Sequence, residues 1–558
     1  MRHARYGNAL LLIALTATPL LWGQRGGRGA ANAAPQTGAT AETSPAPAVA
    51  TVPGATQTAA GRAGGRGTTD AAGAVSSDDF YNFNPAAAQA RLDPNVDKPP
   101  VETHQKVGSL AYTTHAGFLP LSNATTGATE AHLFFTAYTR DGVSDASTRP
   151  ITFFFGGAPG VSAAWQEFGG LGPKRMKPEG GWAENPDTIL NQSDLVFVNP
   201  VGTGYSFPVQ PARASIFWNT AGDIASLGGF VRIYLDRNSR LSSPLFLAGE
   251  DAATGRVGGL TAYLVEHLTP VRGVMLLSIA PSADAIAGDT QYITLLPSLV
   301  ISSWYHKKLS ADLNALSAEA IAGQARQFAS REYLHALYKG DRMTAAEQTK
   351  GIADLARLTG LSKAFITNND LRISFERYSA ELMRDQREAL SKSDARVTGY
   401  VPMAAGGRGG GGGGFVRGGQ NSIDFNMSRI SGPFATAYEE YLKRELAFTP
   451  RKDGIFYLAS GGVGAFTSTG NDETSLAAAF ARNPAMHLFV GVDLFDLSTP
   501  FYVTEYTLAH LDVSPDVRAH NIAVSQQEAG SMAYLDNKSL AKLQRDLGGF
   551  ITGAVGAK

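Results

Sequence analysis

An α/β sandwich, with helices covering both faces of a mainly parallel sheet, is the fold class the sequence predicts, and three observations predict it. Short runs rich in β-branched or apolar residues recur at 152–155, 194–198, 244–247, 274–278, 487–490 and 522–525. Each run ends in Gly, Pro or small-residue turns, as strands do. Helical patterns lie between them, at 219–235, 258–268 and 504–511. Strands that alternate with helices form crossover units, which bury a parallel sheet between two helical layers.

The elements follow in chain order. Residues 1–22 read as a signal peptide or N-terminal anchor: Arg2 and Arg5 precede an apolar stretch from about Ala9 to Trp22. That stretch is shorter than the roughly 20 apolar residues of a membrane span. Ala31-Asn32-Ala33 offers a small-residue cleavage site. The expected location is therefore periplasmic or extracellular, with a tether if the segment stays uncleaved, and no transmembrane domain beyond it. The 558 residues include no cysteine, so an exported fold of this size rests on core burial without disulfides.

Residues 23–78 are Gly, Ala, Pro, Thr and Arg with hardly any large apolar side chain, a composition that cannot offset its ordering entropy and reads as a disordered linker. Its GRAGGRG pieces are similar to RNA-binding tracts. The formal charge of −1, with both signs spread through the chain, leaves no electrostatic footprint for nucleic acid, so a flexible linker is the reading. Residues 79–281 read as the first part of the sheet core, in which runs at 110–117 and 132–139 form antiparallel strands leading to 152–155. From 282 to 432 the strand signal fades and helical patterns at 313–328, 344–358 and 370–390 take over. They read as a helical cap insertion carrying a Gly-rich loop at 406–419. Residues 433–558 return to the core. Ligands in such sheets bind beyond the carboxyl ends of the strands, so a cap there roofs the site.

Four stretches carry the chemistry. The first is FGGAPG (155–160) followed by LGP (171–173); the second is DLVFVNPVGTGYS (194–206). The third, GEDAATGR (249–256), sits between an apolar run and a helical pattern, the geometry with which α/β hydrolases present a nucleophile. The fourth is the pair DLSTP (496–500) and EAGSMAY (528–534). In this order and spacing they resemble the serine carboxypeptidase family (peptidase family S10), particularly its bacterial members, whose stretches read FNGGPG, DLVFIDPVGTGYS, GESYGTTR, DLATP and EAGHMMY. The resemblance runs from about Leu110 to Leu547 and implies the α/β-hydrolase fold.

It also implies a triad that this chain does not carry. In the family the elbow Ser attacks the peptide carbonyl, the His of GHM is the general base and the Asp of DLATP orients it. Asp251, Ser531 and Asp496 stand at those positions. A serine hydroxyl is a poor nucleophile until an imidazole takes its proton, and the carboxylate helps only by fixing that imidazole. With two roles unfilled, the resemblance implies a pseudoenzyme with a binding or interaction role. Asp251 then serves as a turn and helix-start residue and Asp496 as a capping carboxylate. Gly249 and Ala253 keep the turn's flanks small. Thr254 has no identifiable base as a displaced nucleophile.

The family holds a peptide's C-terminal carboxylate with the Asn of FNGGPG and the Glu of GES. Gly156 replaces the Asn and Glu250 matches the Glu, while Gly157, Ala158 and Ala252 fall at the remnant oxyanion and substrate-binding positions. Asn199 departs from the family's Asp. The expected partner is a peptide C-terminus or another small ligand under the cap, and the sequence leaves the oligomeric state open. No cofactor or metal is expected: the chain has no GxxxxGK[ST] loop, no HExxH and no Cys, and Asp493 with Asp496 supplies too few ligands for Ca²⁺. Two alternatives stand: an active hydrolase using displaced groups or Asp251 as nucleophile, which His510 or His520 would have to serve, and a structural envelope protein.

Overall fold

The computed structural model describes residues 96–123, 125–156, 161–177, 179–251, 253–282, 284–401, 424–450, 456, 458 and 472–556. The expectations for residues 1–22, 23–78 and 406–419, and for Gly157, Ala158 and Ala252, lie outside them.

Nine strands form the main path of one sheet: β1 Val101–Val107, β2 Leu110–Ser122, β3 Thr129–Arg140, β4 Ile151–Phe155, β5 Asp194–Val198, β6 Leu245–Asp251, β7 Gly273–Ile279, β8 His487–Asp493 and β9 Ile522–Gln527. Their spatial order is β1-β2-β3-β5-β4-β6-β7-β8-β9. The first three strands and the β3–β5 pair are antiparallel, and every later pairing is parallel. This is the α/β-hydrolase fold with a mostly parallel centre. Every residue of β4 and β5 is buried, which explains why these runs, ITFFF and DLVFV, are nearly all apolar: a central parallel strand has no solvent face. β2 keeps more of an alternating pattern.

Alternate strand residues feed two cores, one on each face. Phe153, Phe155, Leu247 and Leu276 join the first with helices α1 Thr220–Arg237 and α2 Ala253–Glu266. Phe154, Phe197, Phe246, Met275 and Phe489 join the second.

Between β7 and β8 the chain builds helices α3 Thr290–Tyr305, α4 Ala318–Phe328, α5 Ala345–Thr359, α6 Phe375–Leu382, α7 Phe425–Arg444 and α8 Asp472–Arg482. α9 Phe501–His510 and α10 Asn537–Gly556 follow. α10 packs Leu540, Leu543, Leu547 and Ile551 into the second core, and α7 adds Phe434, stacked on Trp165 at 4.1 Å between ring centroids.

Several boundaries differ from the sequence reading. The expected helix at 313–328 is two helices, Ala311–Asn314 and α4, because Ser317 caps a new start through Ala320 N. Of the expected 370–390 helix only α6 forms. Ser374 caps it, the chain turns at Arg387 with a left-handed φ of +57°, and Glu388–Leu390 then pairs antiparallel with Thr398–Tyr400. Strand β1 and helices α7 and α10 had not been anticipated. No helix among the described residues is long and apolar enough to cross a membrane.

Candidate functional site

β6 ends on Asp251 and α2 begins at Ala253. Asp251 has φ +51°, the left-handed region that Asp tolerates better than most side chains. The turn is tight because Gly249 is bare: a Cβ there would stand 2.8 Å from Ala253 O and 2.7 Å from Val257 Cγ2. Thr254 is spent within the turn. Its hydroxyl donates to Asp251 O at 2.6 Å and accepts from Ala280 N at 3.1 Å.

At the other two positions where the resemblance expects a triad, Asp496 is held by its own turn and Ser531 is tied through its backbone. Asp496 is 0% exposed, and its carboxylate accepts from Ser498 N and Oγ (2.7 and 2.8 Å) and from Thr499 N and Oγ1 (3.2 and 2.5 Å). It caps its own turn ahead of α9. Ser531 is half-buried and its backbone N–H donates to Ser393 O at 2.6 Å. The histidines have other partners: His510 Nδ1 lies 2.8 Å from Tyr506 O, His520 Nδ1 3.1 Å from Asp516 O, and His306 Nε2 2.7 Å from Ala395 O.

Four carboxyl groups therefore gather at the carboxyl ends of β6 and β8. Burial pushes Glu250 up to about 8; the hydrogen bond from Tyr534 opposes this, and the nearby Asp493, Asp251 and Asp496 add to it. Burial likewise carries Asp493 well above the usual carboxylate range, against the hydrogen bond that Ser278 Oγ donates to it at 2.6 Å. Asp496 is pushed up to about 6 by burial, opposed by Thr499 and Ser498 and reinforced by Asp251. Glu250 itself is buried, with Oε2 accepting from Tyr534 Oη at 2.6 Å.

A segment from the helical region closes over these turns. Leu497 N donates to Lys392 O, Ala395 N to Phe495 O and Ser531 N to Ser393 O. Asp394 packs on Gly530, where a Cβ would meet Asp394 Cβ at 2.4 Å. Arg396 binds Asp394 at 2.7 Å, donates to Glu528 O at 3.0 Å and lies over the Phe495 ring. Asp424, the cap of α7, ties Ser391 and Ser393 into the same clasp. No local pattern announces this segment.

On the other side of the elbow, Gly156 has no room for the family's Asn, since a Cβ would stand 2.2 Å from Val161 O. Its carbonyl accepts from Arg256 at 2.8 Å, and Arg256 forms a buried ion pair with Asp223 at 2.5 Å. Asn199 accepts from Ser162 Oγ at 2.5 Å, joining the end of β5 to the loop after Gly156. The sequence reading gave Arg256, Asp223 and Ser162 no role. A larger cavity, about 170 Å³, is lined by Phe328, Tyr333, Met343, Leu355 and Leu371 within the helical segment, and none of its lining residues belongs to the elbow.

The family model for serine carboxypeptidase matches residues 103–352. Serine carboxypeptidase S10 family member 1 of Dictyostelium discoideum is 26% identical over 191 residues, 34% of this chain and 43% of that protein. Serine carboxypeptidase-like 36 of Arabidopsis thaliana is 25% identical over 214 residues, 37% of this chain and 42% of that protein. The chain thus spans less than half the length of these curated relatives. Among solved structures, KEX1(DELTA)P, a prohormone-processing carboxypeptidase from Saccharomyces cerevisiae, aligns with a TM-score of 0.49 and 13% identity, covering 85% of this chain and 97% of that one.

Proposed function

Taking as premise that residues 103–352 belong to the serine carboxypeptidase family, we propose that the protein is an exported pseudoenzyme that keeps the family's fold for binding and has given up peptide hydrolysis. One observation carries this reading: the elbow presents Asp251, position 531 carries a Ser with no imidazole, and the Asp496 carboxylate is engaged with donors of the 496–499 turn. An acyl-transfer reaction needs a group that takes the nucleophile's proton. Ser531 offers no base, and Asp496 has its oxygens turned to hydroxyl and amide donors of its own loop. The burial of Glu250 against Tyr534 favours a small ligand held by other groups over capture of a peptide terminus. The basic flank and apolar stretch of residues 1–22 support export.

The test is hydrolysis of N-blocked dipeptides. Wild type is expected to turn over no faster than the roughly 10³–10⁴-fold over water that binding and oxyanion contacts alone sustain. Asp251→Ser alone should add little, and Asp251→Ser with Ser531→His should be at least about tenfold faster, since nucleophile and base act as a unit. A wild type that cleaves as fast as the double variant overturns the proposal.

A further inference from the structure

A second site lies beneath the elbow, between the sheet and the C-terminal helix. Strand side chains alternate between faces. Glu250 on β6, Leu277 on β7, Gly491 and Asp493 on β8 and Gln527 on β9 all point to the layer that holds α10, the side of Ala248, Met275 and Phe489. Leu277 stands opposite Glu250 in one ladder and Gly491 in the next, and Asp493 stands opposite Gln527. Gly491 leaves a gap in this row of side chains. The result is a cavity of about 10 Å³ lined by Glu250, Leu277, Gly491, Asp493 and Gln527 and closed by Ala533, Tyr534 and Leu543. That is the room of about one water-sized sphere.

One buried acceptor in this lining lacks a protein donor. Gln527 is 1% exposed; its Nε2 donates to Ser525 Oγ at 2.8 Å, but its Oε1 meets no protein donor. Glu250 has one oxygen taken by Tyr534 Oη, and Asp493 has one taken by Ser278 Oγ, both at 2.6 Å. Buried polar atoms are nearly always satisfied, and where protein supplies no partner an ordered water does so.

We propose that this cavity is a binding site for one water molecule, which donates to Gln527 Oε1 and bridges it to the carboxyl groups of Glu250 and Asp493. Gln527 Oε1, buried and without a protein donor, is then paired. A bare cation is the poorer occupant. Among the described residues no three Asp, Glu or His side chains converge to hold a metal ion. The bridge commits Glu250 to an internal role, linking the elbow strand to the last two strands of the sheet. It rests on the cavity's own geometry and stands or falls independently of whether the elbow is catalytically silent.

The experiment is a high-resolution crystal structure of the full chain, in sodium salt and again in thallium salt. The expected map has one peak within hydrogen-bond distance of Gln527 Oε1 and of an oxygen of both Glu250 and Asp493, with no anomalous signal in thallium. Gly491→Ala should abolish the peak, since the new methyl enters the cavity 2.9 Å from the movable tip of Leu277. If that variant does not fold, Gln527→Met tests the same point and should lose or displace the peak. A wild-type cavity with no density, a peak bonded to only one of the three residues, or anomalous density in thallium overturns the proposal.

Discussion

The two ends of the sheet bury acid by opposite means. Where β4 and β5 begin, Asp194 accepts from Arg149 Nε at 2.7 Å, from a terminal nitrogen of Arg240 at 2.6 Å and from Arg140 N at 3.0 Å. Two guanidinium groups therefore serve one carboxylate, Arg240 fully buried and Arg149 largely so. Where β6 and β8 end, Glu250, Asp493 and Asp496 have hydroxyl and amide donors and one another. Arg396, a cation that acts on Asp493, is bound to Asp394. A buried carboxyl group without a cation at hand is neutralised by a proton instead. The base of the sheet is a fixed structural joint, and the top is a place whose charge follows the pH.

The largest effect should come from breaking the joint. Asp194→Ala leaves two buried guanidinium groups uncompensated and should cost about 3–5 kcal/mol in urea unfolding at neutral pH. A cost below about 1 kcal/mol would erase the contrast between the two ends. The next test concerns the top. Glu250 has a folded-state pKa of about 8 against an ordinary 4.5, so the folded state binds its proton more tightly than the unfolded chain does. Its contribution to stability is complete below about 4.5 and is lost as the pH rises through about 8. Asp496 acts in the same direction between 3.8 and about 6. Each such proton tilts stability by at most about 1.4 kcal/mol per pH unit. Glu250→Gln keeps an acceptor for Tyr534 and removes that proton, so its melting temperature should fall less steeply than that of wild type over this window. Identical slopes would show that Glu250 is not titrating there. The smallest effect belongs to Thr499→Val, which removes one hydroxyl donor from Asp496. It should cost about 1 kcal/mol, more above pH 6, where Asp496 is charged, than below it; unfolding at two pH values measures the difference.

The same division explains what the sequence disclosed. Continuous apolar strands such as β4 and β5, and motifs confined to a few neighbouring residues such as the 249–256 turn, are legible because their physics is local. Asp496 as a cap was readable for the same reason: its partners are two and three residues away. Bonds across long sequence separations leave no periodic trace. Arg256 reaches Asp223 and Gly156, Ser162 reaches Asn199, and Tyr138 with Tyr438 encloses Glu167, whose carboxyl is pushed up to about 7 by burial despite their hydrogen bonds. The helical pattern at 370–390 misled because composition does not register the left-handed turn at Arg387. α10 is not legible as a pattern although its apolar positions 540, 543, 547 and 551 share one face, because Gly548 and Gly549 interrupt the run.

The clasp over the turns has a practical corollary. Val401 is tied to Arg387 O, and Asp424 is tied to Ser391 and Ser393. The described chain is thus anchored on both sides of residues 402–423, and joining two fixed points by a longer chain grows costlier only with the logarithm of its length. A tag peptide inserted between Val401 and Asp424 should therefore leave the melting temperature close to that of the parent chain.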